Sequence, residues 1–377
     1  MRTALTELVG VEHPLVGFNR SPAVVAEVSR AGALGVLAAT AYRPEELDAQ
    51  LTWIEEQIGE RSYGVDLLIP AKLAKGDPND LIASLRVQIP EEHIRFVEEL
   101  MVKYGIPPRA SPASEGGEYV PAVNTDPGIV SELLDVAFSH RISLIASALG
   151  TPPTYLVERG KEAGVTVGAL VGKRTHAERQ LAAGVDLLIA QGTEAGGHTG
   201  TIATMILTPE IVDVAGDVPV LAAGGIASGR QMAAALALGA AGVWCGSVWL
   251  SSEEDIAPAA VKQKFLAAAS SDTLRSATRT GKPARQLRSA WHDEWERPNA
   301  PKPLPMPLQA LLVKPAWDRI DDAAEAGNER AIELESYYIG QVVGSFARLR
   351  PAAEITRELV EQCRTRLVEL GRLATTP

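Results

Sequence analysis

Short apolar runs alternate with stretches of helical periodicity from about residue 14 to residue 250. Such runs are typical of parallel strands that are buried on both faces. The runs lie at residues 14–18, 35–39, 63–69, 142–148, 165–171, 185–190, 218–223 and 242–250. Eight parallel strands with helices between them fit a closed barrel better than an open sheet, which usually has fewer strands. The pattern therefore predicts an α/β fold, a (β/α)8 TIM barrel.

Two segments depart from this alternation. Residues 71–125 are rich in proline and charge, with one helical stretch near residues 91–103, and they follow the third predicted strand. An insertion there would lie on the face where barrel enzymes place their active sites, so it is either a cap over the site or a solvated loop. We predict a barrel over residues 1–255 and a helical, proline-rich C-terminal extension over residues 256–377 that packs on it.

Within the extension, residues 297–307 contain five prolines and are expected to lie extended. Helices are expected near residues 317–326 and 351–373, the second packing on the outside of the barrel. The segment Trp291–Trp295 has two interpretations. It is either an aromatic lid over a ligand or an anchor that holds the extension to the barrel.

Composition narrows the classes of function. The 377 residues are 46% hydrophobic, which is enough for one large core, and the formal net charge is −11. We expect no nucleic-acid partner, because neutralising many phosphates needs a basic stripe. The two cysteines, Cys245 and Cys363, offer neither a disulfide framework nor metal-ligand spacing, so no metal is expected. Without a leader pattern or a long apolar run, we expect a cytoplasmic protein that does not bind membranes.

Glycines at the ends of the last two predicted strands indicate a phosphate site. Gly224 and Gly225 end the seventh strand, and Ser228 can cap the helix that follows. Gly246 and Ser247 add a bare amide and a hydroxyl after the eighth strand. Barrel enzymes commonly bind phosphate with these two loops and a helix N-terminus.

The segment 191–200 indicates a catalytic base. It follows the sixth strand and holds four glycines, which let the backbone approach a flat ligand, together with a single imidazole, His198. A surface histidine with no task is the plain alternative, but the end of a barrel strand favours catalysis. An ordinary histidine pKa suits a base that works near neutral pH.

Taken together and in order, the runs 194–200 and 222–226 and the pair Gly246-Ser247 resemble the nitronate monooxygenase (2-nitropropane dioxygenase-like) family. Residues 31–38 and 144–152 are similar to two further motifs of that family, and the resemblance covers about residues 10–255. It implies a flavin mononucleotide (FMN) enzyme that oxidises nitronates or nitroalkanes with O₂ to carbonyl compounds and nitrite. His198 would remove a proton from the nitroalkane or steer the nitronate onto the flavin.

The resemblance also implies cofactor contacts. The phosphate would be held by Gly224, Gly225, Gly246 and Ser247, and the flavin would be lined by Gln191, Gly196 and Gly197. Two positions depart from the family pattern. Phe18 lies where a Pro-Met pair is common, and Asp66 lies where an Asn usually meets the pyrimidine edge of the flavin. An ionised Asp66 could not donate a hydrogen bond to a flavin carbonyl, so either it accepts one from the ring N3–H or the flavin sits differently.

Other functions fit the same residues. Flavin enoyl-thioester reductases share the scaffold and the Gly-Gly-His motif, and quinone reductases are close relatives; both take hydride from NAD(P)H. A non-catalytic flavin-binding protein is an alternative of another class. The expected partner is a small-molecule substrate, and the sequence leaves open whether the chain forms a homodimer.

Overall fold

A computed structural model describes residues 1–69, 78–108, 127–147 and 150–375. Within these residues, eight parallel strands close into a barrel, which confirms the predicted (β/α)8 fold. The barrel strands are β1 (Leu15–Asn19), β2 (Leu34–Ala38), β3 (Tyr63–Leu67), β4 (Leu144–Ser147), β5 (Thr166–Val171), β6 (Leu187–Gln191), β8 (Val220–Ala223) and β9 (Gly242–Cys245). A two-residue strand outside the barrel, β7 (Gly197–His198), lies between β6 and β8 in the sequence. The last barrel strand pairs with the first, with Val16 opposite Trp244, so the sheet has no free edge.

Helices surround the barrel and alternate with its strands. They are α2 (Pro22–Arg30), α3 (Pro44–Ile58), α6 (Pro127–Ser139), α7 (Thr154–Ala163), α8 (Arg174–Ala183), α9 (Thr204–Ala215) and α10 (Gly229–Ala237). Ser228 caps α10 as predicted, because its side chain accepts the Gln231 N–H. None of the described helices is long and apolar enough to cross a membrane.

A short N-terminal helix, α1 (Ala4–Val9), closes the bottom of the barrel. Its residues Leu5 and Val9 belong to the apolar cluster that fills the barrel interior, together with Val16 and Leu34 from the first two strands. The opposite end, where the strands terminate, is the end at which barrel enzymes place their active sites.

Two helices follow β3 in the predicted insertion, α4 (Pro78–Arg86) and α5 (Glu91–Lys103). The second matches the predicted helical stretch. Residues 71–77 and 109–125 of the insertion lie outside the described residues, so its role as a cap over the site stays a prediction.

The C-terminal extension contains two strands and more helices than predicted. It contains α11 (Ala259–Ala267), β10 (Thr273–Ser276), β11 (Ala284–Leu287), α12 (Ala290–Trp295), α13 (Leu308–Glu325), α14 (Glu329–Leu334) and α15 (Ala352–Thr375). As predicted, α15 packs outside the barrel, on α2 and α10. The expected start of α13 near residue 317 is wrong, because the helix begins at Leu308 and continues through Pro315.

The eighth predicted strand is too long. It ends at Cys245, and the apolar residues after it form a 3₁₀ helix over Ser247–Ser251. The Trp249 indole N–H donates to the Cys245 carbonyl at 2.6 Å, which fixes this turn. A short apolar run does not by itself distinguish a strand from a buried helical turn.

The Trp291–Trp295 segment anchors the extension, but its described contacts are with the inserted helix α5 and not, as the second interpretation expected, with the barrel strands. Trp291 is fully buried, its ring lies 5.1 Å from that of Trp317 on α13, and the Trp295 ring meets Phe96 of α5 edge-on at 4.8 Å. These rings join α12 and α13 to the inserted helix α5. The segment is therefore part of an apolar core and not a lid.

Candidate active site at the barrel mouth

Three predicted site residues lie on the inward-facing register of the barrel strands, at or near their carboxyl ends. Phe18 is opposite Val36, Asp66 is opposite Ala146, and Gln191 is opposite Ala223. Val36, Ala146 and Ala223 all belong to the interior cluster. Since partners in a parallel sheet share a face, the three predicted residues line the interior as well. The sheet thus brings together residues far apart in the sequence.

Asp66 is the one acidic group on this interior surface among the described strands. It is 5% exposed and has no hydrogen-bond or ion-pair partner among the described residues. Burial raises the pKa of its carboxyl from 3.8 to about 8. The assumption of an ionised Asp66 therefore does not hold near neutral pH, where the carboxyl is mostly protonated.

Gly224 and Gly225 form the rim after β8. Both have positive φ, +98° and +70°, which L side chains rarely adopt. A Cβ on Gly224 would also approach the Thr204 hydroxyl and the Ala195 N–H to 3.0 and 3.1 Å. The pair therefore needs glycine for its conformation, and Gly224 needs it for space as well.

Gly246 and Ser247 form the adjacent rim after β9. A Cβ on Gly246 would meet only Phe18, at 3.6 Å, so the space beside this backbone is open. The Ser247 hydroxyl accepts the Gly340 N–H at 2.7 Å, and among the described residues no acceptor takes its proton. This rim can therefore present a free amide and a hydroxyl donor to an anion.

His198 lies in the short strand β7, which the sequence did not predict. This strand pairs antiparallel with β11 of the extension, with His198 opposite Ala284. The imidazole is exposed at the mouth, and its Nε2 lies 2.8 Å from the Thr280 hydroxyl oxygen. The centre of the Tyr338 ring lies 6.2 Å from the centre of the His198 imidazole.

The surroundings of His198 favour its neutral form. Partial removal from water, followed by the positive charge of Lys282, lowers the pKa of the imidazole below 6.5. A neutral imidazole has a free lone pair, so the side chain can accept a proton near neutral pH.

Two arginines of the extension hold the backbone on either side of His198. Arg285 donates from Nε to the Thr193 carbonyl, and Arg275 donates from Nη2 to the Thr199 carbonyl, each at 2.8 Å. Arg285 is 8% exposed. The extension therefore builds part of the site, which sequence reasoning confined to the barrel motifs did not foresee.

The extension makes a third contact with this loop, where the backbone of Ile339 packs against Gly196. A Cβ there would approach the Ile339 backbone to 2.8 Å, and the Gln341 N–H donates to the Glu194 carbonyl at 3.0 Å. At Gly197, by contrast, a Cβ would meet nothing within 4 Å, so this residue faces open space. The loop is fixed on its extension side and open beside His198.

These residues fit a flat cofactor that carries a phosphate. The rim at Gly246 has open space where a phosphate could bind, and the open face at Gly197 leaves room for a planar ring. Asp66 supplies a buried polar group that the described protein leaves without a partner. The donor set and the space agree with the flavin that the motifs imply.

A family model for nitronate monooxygenase matches residues 2–362, nearly the whole chain. The chain belongs to the nitronate monooxygenase family. It is an oxidoreductase of nitronate monooxygenase type, and the family implies a flavin cofactor. Membership of this family argues against the non-catalytic alternative.

Relatives within and around the nitronate monooxygenase family cover most of the chain. A Mycobacterium tuberculosis protein, provisionally described as a monooxygenase, is 54% identical and covers 96% of both chains. Another protein of that organism is 33% identical over 77% of this chain and 67% of its own. It is named (3aS,4S,5R,7aS)-5-hydroxy-7a-methyl-1-oxo-octahydro-1H-indene-4-carboxyl-CoA dehydrogenase. The solved nitroalkane oxidase of Streptomyces ansochromogenes is 26% identical with a TM-score of 0.78, covering 98% of this chain and 100% of its own.

Proposed function

We propose that the chain is an FMN-dependent nitronate monooxygenase that oxidises alkyl nitronates or nitroalkanes with O₂ to carbonyl compounds and nitrite. The observation that carries the proposal is the placement of His198. The imidazole is exposed beside the open face at Gly197, and its pKa is lowered. The pairing of its strand with β11 holds it at the barrel mouth.

FMN is proposed over larger flavins because the rims offer one phosphate site. Gly224 and Gly225 would approach the phosphate with bare backbone, while Gly246 and Ser247 would donate an N–H and an O–H. Gln191, Gly196 and Gly197 would line the ring, with Phe18 beneath it in the barrel interior and Asp66 at its edge. FMN, when bound, supplies the redox chemistry.

The protein's own contribution is orientation and proton transfer. With a nitroalkane, a free ring nitrogen of neutral His198 would take the proton from the carbon beside the nitro group. The electrons of that C–H bond would pass into the C=N bond of the nitronate. With a preformed nitronate no proton leaves carbon, and the N–H of neutral His198 would instead donate a hydrogen bond to a nitronate oxygen.

The test is a substrate panel followed by the flavin spectrum without oxygen. Nitroalkanes, nitronates, an enoyl-CoA and a quinone are each added, with and without NAD(P)H. We expect a nitronate alone to bleach the yellow colour, and nitrite to form once O₂ is admitted. Rapid bleaching by NADPH, with nitronates inert, would contradict the proposal.

A second candidate is a flavin-dependent reductase of enoyl thioesters that uses NAD(P)H. It is favoured by one observation, the 33% identity to a relative named for a carboxyl-CoA substrate. It predicts that NAD(P)H bleaches the flavin and that an enoyl-CoA restores the colour. The same panel therefore separates the two candidates, and it also includes the quinone that a quinone reductase would use.

A further inference from the structure

Asp66 is a buried acid whose task the proposed function leaves unspecified. Its neighbours in the sheet are Ala38 of β2 and Ala146 of β4. The interior cluster beside it includes Phe18, Leu170 and Trp244. None of these described neighbours carries a charge, and burial alone raises the pKa of the Asp66 carboxyl.

A carboxylate in these surroundings would be costly, since nothing described compensates its charge. A protonated carboxyl has a different hydrogen-bonding capacity, with one O–H donor and one C=O acceptor. A primary amide offers the same donor and acceptor pair from a side chain of the same length. Asp66 can thus do what Asn does at this position, but only while it holds its proton.

We infer that Asp66 meets the pyrimidine edge of the flavin as a neutral carboxylic acid, so that retention of the cofactor depends on one proton. The O–H would donate to a ring carbonyl and the C=O would accept from the ring N3–H. This inference rests on the proposed flavin site. It adds that loss of the Asp66 proton removes the donor and places a negative charge beside the carbonyl.

The holoprotein tests this directly, through the fluorescence of FMN released at equilibrium on dilution at pH 7, 8 and 9. Because the pKa of the Asp66 carboxyl is about 8, the affinity of the wild type for FMN should fall about tenfold between pH 7 and pH 9. Asp66→Asn is the matched variant, since its amide keeps both hydrogen bonds without a titrating proton. Its affinity should stay flat over the same interval.

Equal pH dependence in the wild type and Asp66→Asn would overturn the inference, as would a flat wild-type profile. If the variant does not fold, infrared spectra of the Glu335→Gln holoprotein replace it, because Glu335 is a second buried carboxyl with a raised pKa, about 7. The carbonyl band of a protonated acid should be present at pH 7 and lost by pH 9, in step with FMN release. Its absence at pH 7 would also overturn the inference. Protein that binds no FMN at any pH would instead defeat the proposed function.

Discussion

Gly340→Ala should weaken cofactor binding although Gly340 lies in the C-terminal extension. Its backbone has φ −81° and ψ 171°, which alanine adopts readily, so the perturbation is purely steric. The new Cβ would lie 2.6 Å from the Glu194 carbonyl oxygen, 3.1 Å from the Ser247 hydroxyl and 3.2 Å from the Gly196 nitrogen. Two of these atoms belong to backbone, so they cannot rotate away.

The expected cost follows from that crowding. Overpacking a tight contact typically costs about 1–3 kcal/mol. The Gly340 N–H donates to the Ser247 hydroxyl, and Gly340 contacts the loop that carries His198. We therefore expect most of this free energy to be lost from FMN binding. That corresponds to roughly tenfold to hundredfold weaker binding, at about 1.4 kcal/mol for each factor of ten.

The assay is a fluorescence titration of FMN, with thermal unfolding measured in parallel. Gly371→Ala on α15 is the control, because a Cβ there meets nothing within 4 Å. The control should bind FMN as the wild type does. If Gly340→Ala also bound FMN with wild-type affinity, the extension would not shape the cofactor site and the reasoning would be refuted.

Variants at three further positions test single groups. His198→Asn should keep the flavin but reduce turnover by about 10²–10⁴-fold, the usual contribution of a positioned base, and an unchanged rate would remove His198 from the mechanism. Thr280→Val removes the oxygen that lies 2.8 Å from His198 Nε2, so kcat/KM should fall severalfold and the acid limb of its pH profile should move to lower pH. Thr280→Ser keeps the hydroxyl and should restore both. An acid limb that does not move in Thr280→Val would count against this positioning role. Burial, and then the charge of Asp321, raise the pKa of Glu335 from 4.5 to about 7. The contribution of Glu335 to stability is therefore fully present below pH 4.5 and lost as the pH rises through 7. Glu335→Gln should raise the melting temperature more at pH 8 than at pH 5, and equal increases would contradict this pH dependence.

The barrel could be predicted because its signal is local. Each parallel strand is buried on both faces and appears as one apolar run, so the run near residue 187 is visible without knowing its partners. The glycine rims are visible for the same reason, since Gly224 and Gly225 directly follow such a run. Local patterning failed after Cys245, where an apolar run continues into a 3₁₀ helix.

The surroundings of His198 could not be predicted in this way. Its strand has two residues, too few for any periodicity, and its partner β11 lies more than eighty residues later in the chain. The protonation of Asp66 likewise depends on burial that exists only once the barrel has closed. The contacts of Arg275 and Arg285 with the loop are set by the same long-range pairing.

The most direct test of the central claim is the flavin content of the purified protein. A flavin held at the barrel mouth predicts yellow protein that releases one non-covalent FMN per chain on denaturation, and His198→Asn protein that is equally yellow. Colourless protein that takes up no added FMN would contradict the account.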